Sequence, residues 1–273
     1  MRIIFSRKGF DSSAGGCPSP IIDGRPISLP IPTGMPTPVR YQDLRGPFGS
    51  LVQDLTNGKI AAGSPCHLDP DLDASVLPRL PRWRGSLGQV GAAQTHLANQ
   101  GVASGDLFLF WGLFRHVEHG SQWTFVGPPE HRLFGWIQVE EIVRLGPDGS
   151  SALRSHPWLK DHPHVRSGWG PQNHLYIATK KLRLNARDCG LPGWGLFPSG
   201  LRLTATGSKP SEWSVPDWLN PARNGVGMTY HPRHRWSSEG TLKSAGRGQE
   251  FVSVVGDDGA ALDWLRQIFG ELP

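Results

Sequence analysis

The chain opens on a short apolar run, Arg2 to Phe5, that breaks at once into Ser6, Arg7, Lys8, Gly9 and Asp11, then Ser12, Ser13, Gly15 and Gly16. A β-prone segment feeding a glycine-rich polar loop is a common way to present chemistry on a rigid edge. From Pro18 to Pro38 prolines recur every few positions while Ile27, Leu29 and Ile31 alternate, which predicts an extended edge segment that supplies few ladder donors. Val52 to Leu55, ahead of Asn57-Gly58, reads as a strand entering a tight turn. Ser86-Leu87-Gly88-Gln89 has capping-box spacing, with Val90, Ala93 and Leu97 on one helical stripe and Gly101 placed to end that helix.

Leu107 to Trp111 is continuously apolar and predicts a strand buried on both faces. Gly127-Pro128-Pro129 breaks the chain before a second long strand, Leu133 to Val143, in which Gly135 and Glu140-Glu141 interrupt the alternation as bulges do. His174 to Thr179, Gly200 to Thr206 and Glu250 to Val255 are further strands. Asp263 to Phe269 is a closing helix with Trp264, Leu265 and Ile268 facing inward. The pattern is that of an α+β protein, mainly β.

Composition narrows the class. Hydrophobic residues make 37% of the chain and the mean hydropathy is −0.33, with no apolar run near the ~20 residues of a membrane helix. The apolar patch in MRIIFSRKGF is too short for a signal peptide, so no export and no membrane partner are expected. Cys17, Cys66 and Cys189 are odd in number and far apart, which suits a reducing cytoplasm and argues against a sulfur-built zinc site. Eleven tryptophans argue against disorder. The net charge of +5 rests on 21 Arg against 7 Lys. Arginine's planar fork suits phosphate and base edges, so a nucleic-acid or nucleotide partner is permitted; arginine-favouring codon usage gives the same balance.

Three clusters carry candidate chemistry. In the opening loop, Ser6 offers a nucleophile or orienting hydroxyl, Lys8 an oxyanion or phosphate clamp, and Asp11 a general base or nucleophile. Ser12, Ser13, Gly15 and Gly16 can turn backbone N–H groups toward an anionic substrate. The same residues also fit a structural turn in which Asp11 accepts the Ser13 N–H. In His67-Leu68-Asp69-Pro70-Asp71, alternate side chains of an extended segment share a face, so His67, Asp69 and Asp71 are candidates for a divalent metal, with a proline-containing turn as the structural alternative. His156, Asp161, His162, His164 and His174 form a second candidate metal set without helical ligand spacing. Among the tryptophans, Trp158 and Trp169 sit in Gly/Pro loops and are the candidates for stacking a base, with Arg115 as a nearby phosphate contact.

The order helix, Gly-Asp turn, buried aromatic strand and FGWIQVEEI is similar to the PUA-like barrels (EVE, ASCH and YTH families). That resemblance implies a small base-holding barrel over residues 86–185. An N-terminal strand with polar loops at 1–85 and a C-terminal extension at 186–273 are expected to pack with it as one compact unit, because no flexible linker divides the three parts. More specifically, SRKGFDSSAGG, HLDPDLD, GDLFLFWGLFR, FGWIQVEEI and GQEFV resemble the third of the bacterial nucleotide modification associated domain families. This resemblance implies nucleotide or nucleic-acid base modification and settles no residue's role. The leading expectation is a protein that acts on or recognises a modified base. The rivals are a non-catalytic reader of the PUA-like type and a metal-dependent oxygenase or hydrolase of a small metabolite.

Overall fold

The structure is a computed structural model that describes residues 1–35, 37–246 and 248–270; Pro36 of the proline-rich segment lies outside them. In chain order the strands are β1 (Arg2–Arg7), β2 (Ser19–Ile22), β3 (Arg25–Pro26), β4 (Ile31–Pro32), β5 (Cys66–His67), β6 (Ser86–Gln89), β7 (Leu107–His119) and β8 (Trp123–Arg144). They continue as β9 (His174–Ala178), β10 (Arg183–Leu184), β11 (Arg187–Asp188), β12 (Trp194–Arg202), β13 (Glu212–Ser214), β14 (Thr241–Lys243) and β15 (Glu250–Val254). The α-helices are α1 (Phe48–Leu55), α2 (Gly91–Asn99) and α3 (Gly259–Gly270).

β7 and β8 form a long antiparallel pair from which the main sheet grows. The outer edge of β7 is shared end to end by β1 and β2, both parallel to it. The outer edge of β8 is shared by β12 and β9, both antiparallel. β15 then flanks β1 and β6 flanks β9, giving the order β15-β1-β7-β8-β9-β6. The mixed sheet is open, which corrects the expectation of a PUA-like barrel over residues 86–185. The reason lies in β7: its free edge is taken by the N-terminal strands, so the central segment does not close on itself.

Alternation along these strands supplies two faces. Ile3, Phe5, Leu107, Leu109, Trp111, Leu133 and Trp136 point into one layer with the C-terminal segment and α3. Ile4, Phe108, Phe110, Phe134 and Ile137 point into the other with Tyr176 and with Leu97 of α2. Leu107 to Trp111 is therefore buried on both sides. Bulges fall at the β7–β8 shift opposite Phe110 and Trp111 and at the β8–β9 shift between Val139 and Glu141. Both sit beside the positions, Gly135 and Glu140-Glu141, where the alternation fails.

Three local expectations change. Val52 to Leu55 belongs to α1, whose Leu51, Val52 and Leu55 form a buried stripe at helical spacing. Ser86 to Gln89 is β6, not a helix cap; it pairs with β9, and the helix starts only at Gly91. Gly127-Pro128-Pro129 does not end the strand. There β8 has only β7 as a neighbour, and a register shift between Phe114 and His116 absorbs the prolines, whose missing N–H groups leave no ladder bond unmade on an edge.

Candidate functional site

The sheet's parallel β1–β7 pair ends where the chain must turn away at Gly9, whose φ of +81° is a conformation only glycine adopts freely. The loop that follows is a tight knot. One Asp11 carboxylate oxygen, Oδ1, accepts the N–H of Ser13 at 2.7 Å, its hydroxyl at 2.6 Å and the N–H of Ala14 at 2.9 Å, while Oδ2 faces Arg7 Nε at 3.8 Å. Burial alone would raise the Asp11 carboxyl; these hydrogen bonds and Arg7 outweigh it and hold the group below the usual carboxylate range. These three hydrogen bonds tie Asp11 into the structure of the loop, while its side chain also reaches the cavity wall.

Two other polar side chains of β1 and its turn, Ser6 and Lys8, meet a buried acid. Glu250, 1% exposed, accepts Ser6 Oγ–H at 3.0 Å and Lys8 Nζ–H at 3.1 Å, and Gln89 Nε2 also donates to it. Ser6 is wholly buried in this cluster, off the cavity wall, where its hydroxyl orients Glu250. Lys8 reaches the cavity.

That cavity, about 280 Å³, lies between the opening loop and two distant segments. Its wall includes Arg7, Lys8, Asp11 and Ser13 from the loop, His67 and Asp69 from the β5 turn, Gln89 from β6, and His164 and Trp169 from the histidine-rich loop. β5 pairs with β4, placing Ile31 opposite His67, so His67 turns to the cavity while Cys66 turns into the core; burial pushes the Cys66 thiol up to about 12. Beyond it the chain folds back, with Asp69 N–H donating to His67 O at 2.9 Å. That turn ends the period of two. Asp71 joins a bridge to Ser86 and sends its carboxylate to Arg79 at 2.5 and 2.8 Å, buried and facing away from the cavity. Asp71 is thus not part of the His67–Asp69 set.

His164 takes its place. One donor atom from each of His67, Asp69 and His164 lies within 4.8 Å of the other two. Asp69 Oδ1 accepts the N–H of Gly88 at 2.7 Å and has His162 Nε2 3.4 Å away, while Oδ2 faces His164 Nε2 at 3.7 Å. Burial alone would raise Asp69; the nearby His162 N–H and the surrounding imidazoles outweigh it and keep its carboxyl well below the usual range. Burial holds the His67 imidazole down to about 4 and that of His164 to about 3, in each case against the pull of Asp69. At neutral pH the cluster is therefore two neutral imidazoles and one carboxylate, a set suited to proton transfer or to a divalent cation. Gly88 makes it possible. A methyl group there would overlap the His164 ring, so the strand must be bare where the imidazole lies on it.

Trp169 stacks flat on His164, with centroids 4.3 Å apart and planes 6° from parallel, and meets His67 edge-on at 5.7 Å. Other candidates fall elsewhere. Trp158 is buried in a cluster with Leu145, Leu159 and Leu175. Arg115 donates to Gly127 O at 2.6 Å on the β7–β8 ribbon and lies over Phe125. Ser12 and Gly16 are exposed on the loop's outer side, and Gly15 packs against the Phe10 ring, so none of the three lines the cavity. Among the cavity residues that sequence reasoning left out of its sets or placed in the wrong one are Gln89 and His164. Their only signal was a polar side chain inside an otherwise apolar or proline-bounded stretch.

Among the described residues no helix is long and apolar enough to cross a membrane. No curated protein and no solved structure matches the chain. The profile of one family, described as Nucleotide modification associated domain 3, matches residues 2–254 and so takes in every strand of the sheet and every wall of the cavity. The chain belongs to the Nucleotide modification associated domain 3 family.

Proposed function

We propose that this protein is an enzyme that modifies the base of a nucleotide or nucleic-acid strand, and that the cavity between the opening loop and the His67–Asp69 turn is where it works. The observation that carries the reading is convergence. Segments around residues 8, 67, 89, 164 and 249 meet at one cavity although they are far apart in the chain. In that cavity Arg7 gives a cation for a phosphate, with Lys8 beside it tied to Glu250; the half-buried Trp169 offers a base the ring face that His164 does not cover, and the His67–Asp69–His164 cluster lies on the covered side. Family membership supports the substrate class, and the buried acid/base cluster favours an enzyme over a pure reader, which needs the stacking face alone.

Calorimetric titration with nucleoside 5′-monophosphates and short single strands tests the binding half. Base–aromatic stacking contributes about 1–3 kcal/mol per base, so Trp169→Ala should weaken binding by roughly 5- to 150-fold. Equal affinity in the variant, with the native fold retained, would remove Trp169 from the site. Mass spectrometry of the recovered nucleotide tests the catalytic half: an unchanged base after incubation under metal-supplemented aerobic conditions would leave a reader.

A further inference from the structure

We propose that His67, Asp69 and His164 together bind one divalent first-row transition-metal ion, with the open side of the ion facing the cavity. The inference rests on reading this cavity as the working site, and it adds the ion to the cavity's inner wall.

The geometry already has the marks of a ligand set rather than of three residues that happen to be close. Asn173, fully buried, donates from Nδ2 to Gly146 O at 3.1 Å and to His164 O at 2.9 Å. Both donors being committed, its Oδ1 is left to accept, and it lies 2.8 Å from His164 Nδ1. The proton of that imidazole is therefore on Nδ1 and the lone pair on Nε2, the nitrogen aimed at Asp69. An outer carbonyl that fixes tautomer and ring plane is the usual partner of a metal-binding histidine. Asp69 is divided in the same sense: Oδ1 takes the Gly88 N–H and Oδ2 is left on the His164 side.

His162 completes this outer layer. Its Nδ1 accepts the His164 N–H at 3.3 Å, so its proton is on Nε2, 3.4 Å from Asp69 Oδ1. The ring is 2% exposed, and Nε2 lacks a well-formed hydrogen bond. A small shift of the carboxylate toward an ion leaves that donor in place to hold it. Lys8, the ammonium on this wall, is neutralised by Glu250 at 3.1 Å and does not repel a cation at full strength.

The donor set indicates the class of ion. Two imidazoles and a carboxylate suit first-row transition ions; calcium and magnesium prefer all-oxygen cages, and structural zinc prefers thiolates. Three protein ligands leave positions for water or substrate, as in catalytic centres and the two-histidine, one-carboxylate iron sites. Adjacent ligands on an ion with bonds of about 2.1 Å lie roughly 3 Å apart, so the trio needs only to draw together from its present spacing. Among the described residues no other group of three His, Cys, Asp or Glu side chains meets this closely. An ion here would supply Lewis-acid or redox chemistry beside a base held on Trp169.

The test uses the full chain without a histidine tag, stripped by chelator and titrated anaerobically with cobalt(II), with no nucleotide present. One equivalent should bind, giving visible absorption bands, and should raise the thermal unfolding midpoint. His164→Ala and His67→Gln should each weaken binding at least 100-fold, while His119→Ala, which removes an exposed histidine of the β7–β8 ribbon, should bind as the parent does. If His164→Ala loses its native near-ultraviolet circular dichroism, His67→Gln carries the comparison. No saturable cobalt binding in the parent, or parental affinity in a folded ligand variant, overturns the proposal. Because nucleotide binding is read separately on metal-free protein, loss of the ion and loss of the base-binding reading are told apart.

Discussion

Lys8→Met is expected to lower the free energy of unfolding by about 3–5 kcal/mol, although Lys8 lies on a cavity wall. Its ammonium is the charge partner of Glu250, whose side chain is 1% exposed, and the lysine side chain itself is only 10% exposed. Removing the cation leaves a carboxylate in the interior with two neutral donors, Ser6 and Gln89, and no opposing charge. Such losses are large because the stranded charge has given up its water, not because the pair was strong. The double variant Lys8→Met/Glu250→Gln should therefore recover most of the loss. Urea unfolding of the parent, both single variants and the double variant gives the cycle directly. A Lys8→Met protein within about 1 kcal/mol of the parent would mean that Glu250 does not depend on Lys8. The consequence for function is practical: lost activity in a Lys8 variant reports on the fold as much as on the site.

Gly88→Ala is expected to break the candidate site from behind. The added methyl would occupy the space of the His164 ring, which is itself pinned by Asn173 on one side and stacked on Trp169 on the other. Overpacking of this kind costs about 1–3 kcal/mol. The ring must leave its place against Asp69, so the trio is lost even though no member of it has been altered. Urea unfolding gives the stability change, and imidazole-ring NMR of His164 reports its position. Unchanged stability with unchanged His164 resonances would show that the strand does not need glycine there.

What the sequence made legible, and what it hid, follows from the range of the forces involved. Leu107 to Trp111 was readable because a strand buried on both faces must be apolar throughout. Gly101 was readable because its left-handed turn is a local requirement. The Asp11 turn was anticipated as one of two readings, since Asx hydrogen bonds close within two residues. The strand at Ser86 to Gln89 was hidden by a capping-box spacing that was real in sequence but overridden by pairing with β9, a partner some ninety residues away. Asp71 was misplaced because a period of two holds only while the chain stays extended, and it folds back at Asp69. His164 could not be joined to His67 from the sequence, because only the bridging of separate segments around one cavity brings HLD and HPH together. The barrel failed for the same reason: the partner of β7 is the N-terminus.

On the reading proposed above, a base is held against Trp169, beside His67, Asp69 and His164. Ultraviolet cross-linking of 5-bromo-2′-deoxyuridine 5′-monophosphate to the full chain, followed by peptide mass spectrometry, tests it most directly. A saturable adduct on Trp169 that unmodified nucleotide competes away is the expected result. A second hollow, lined by His96 and Tyr230, offers aromatic rings on another part of the surface. A competed adduct on Tyr230 with none on Trp169 would place the base in that second hollow instead.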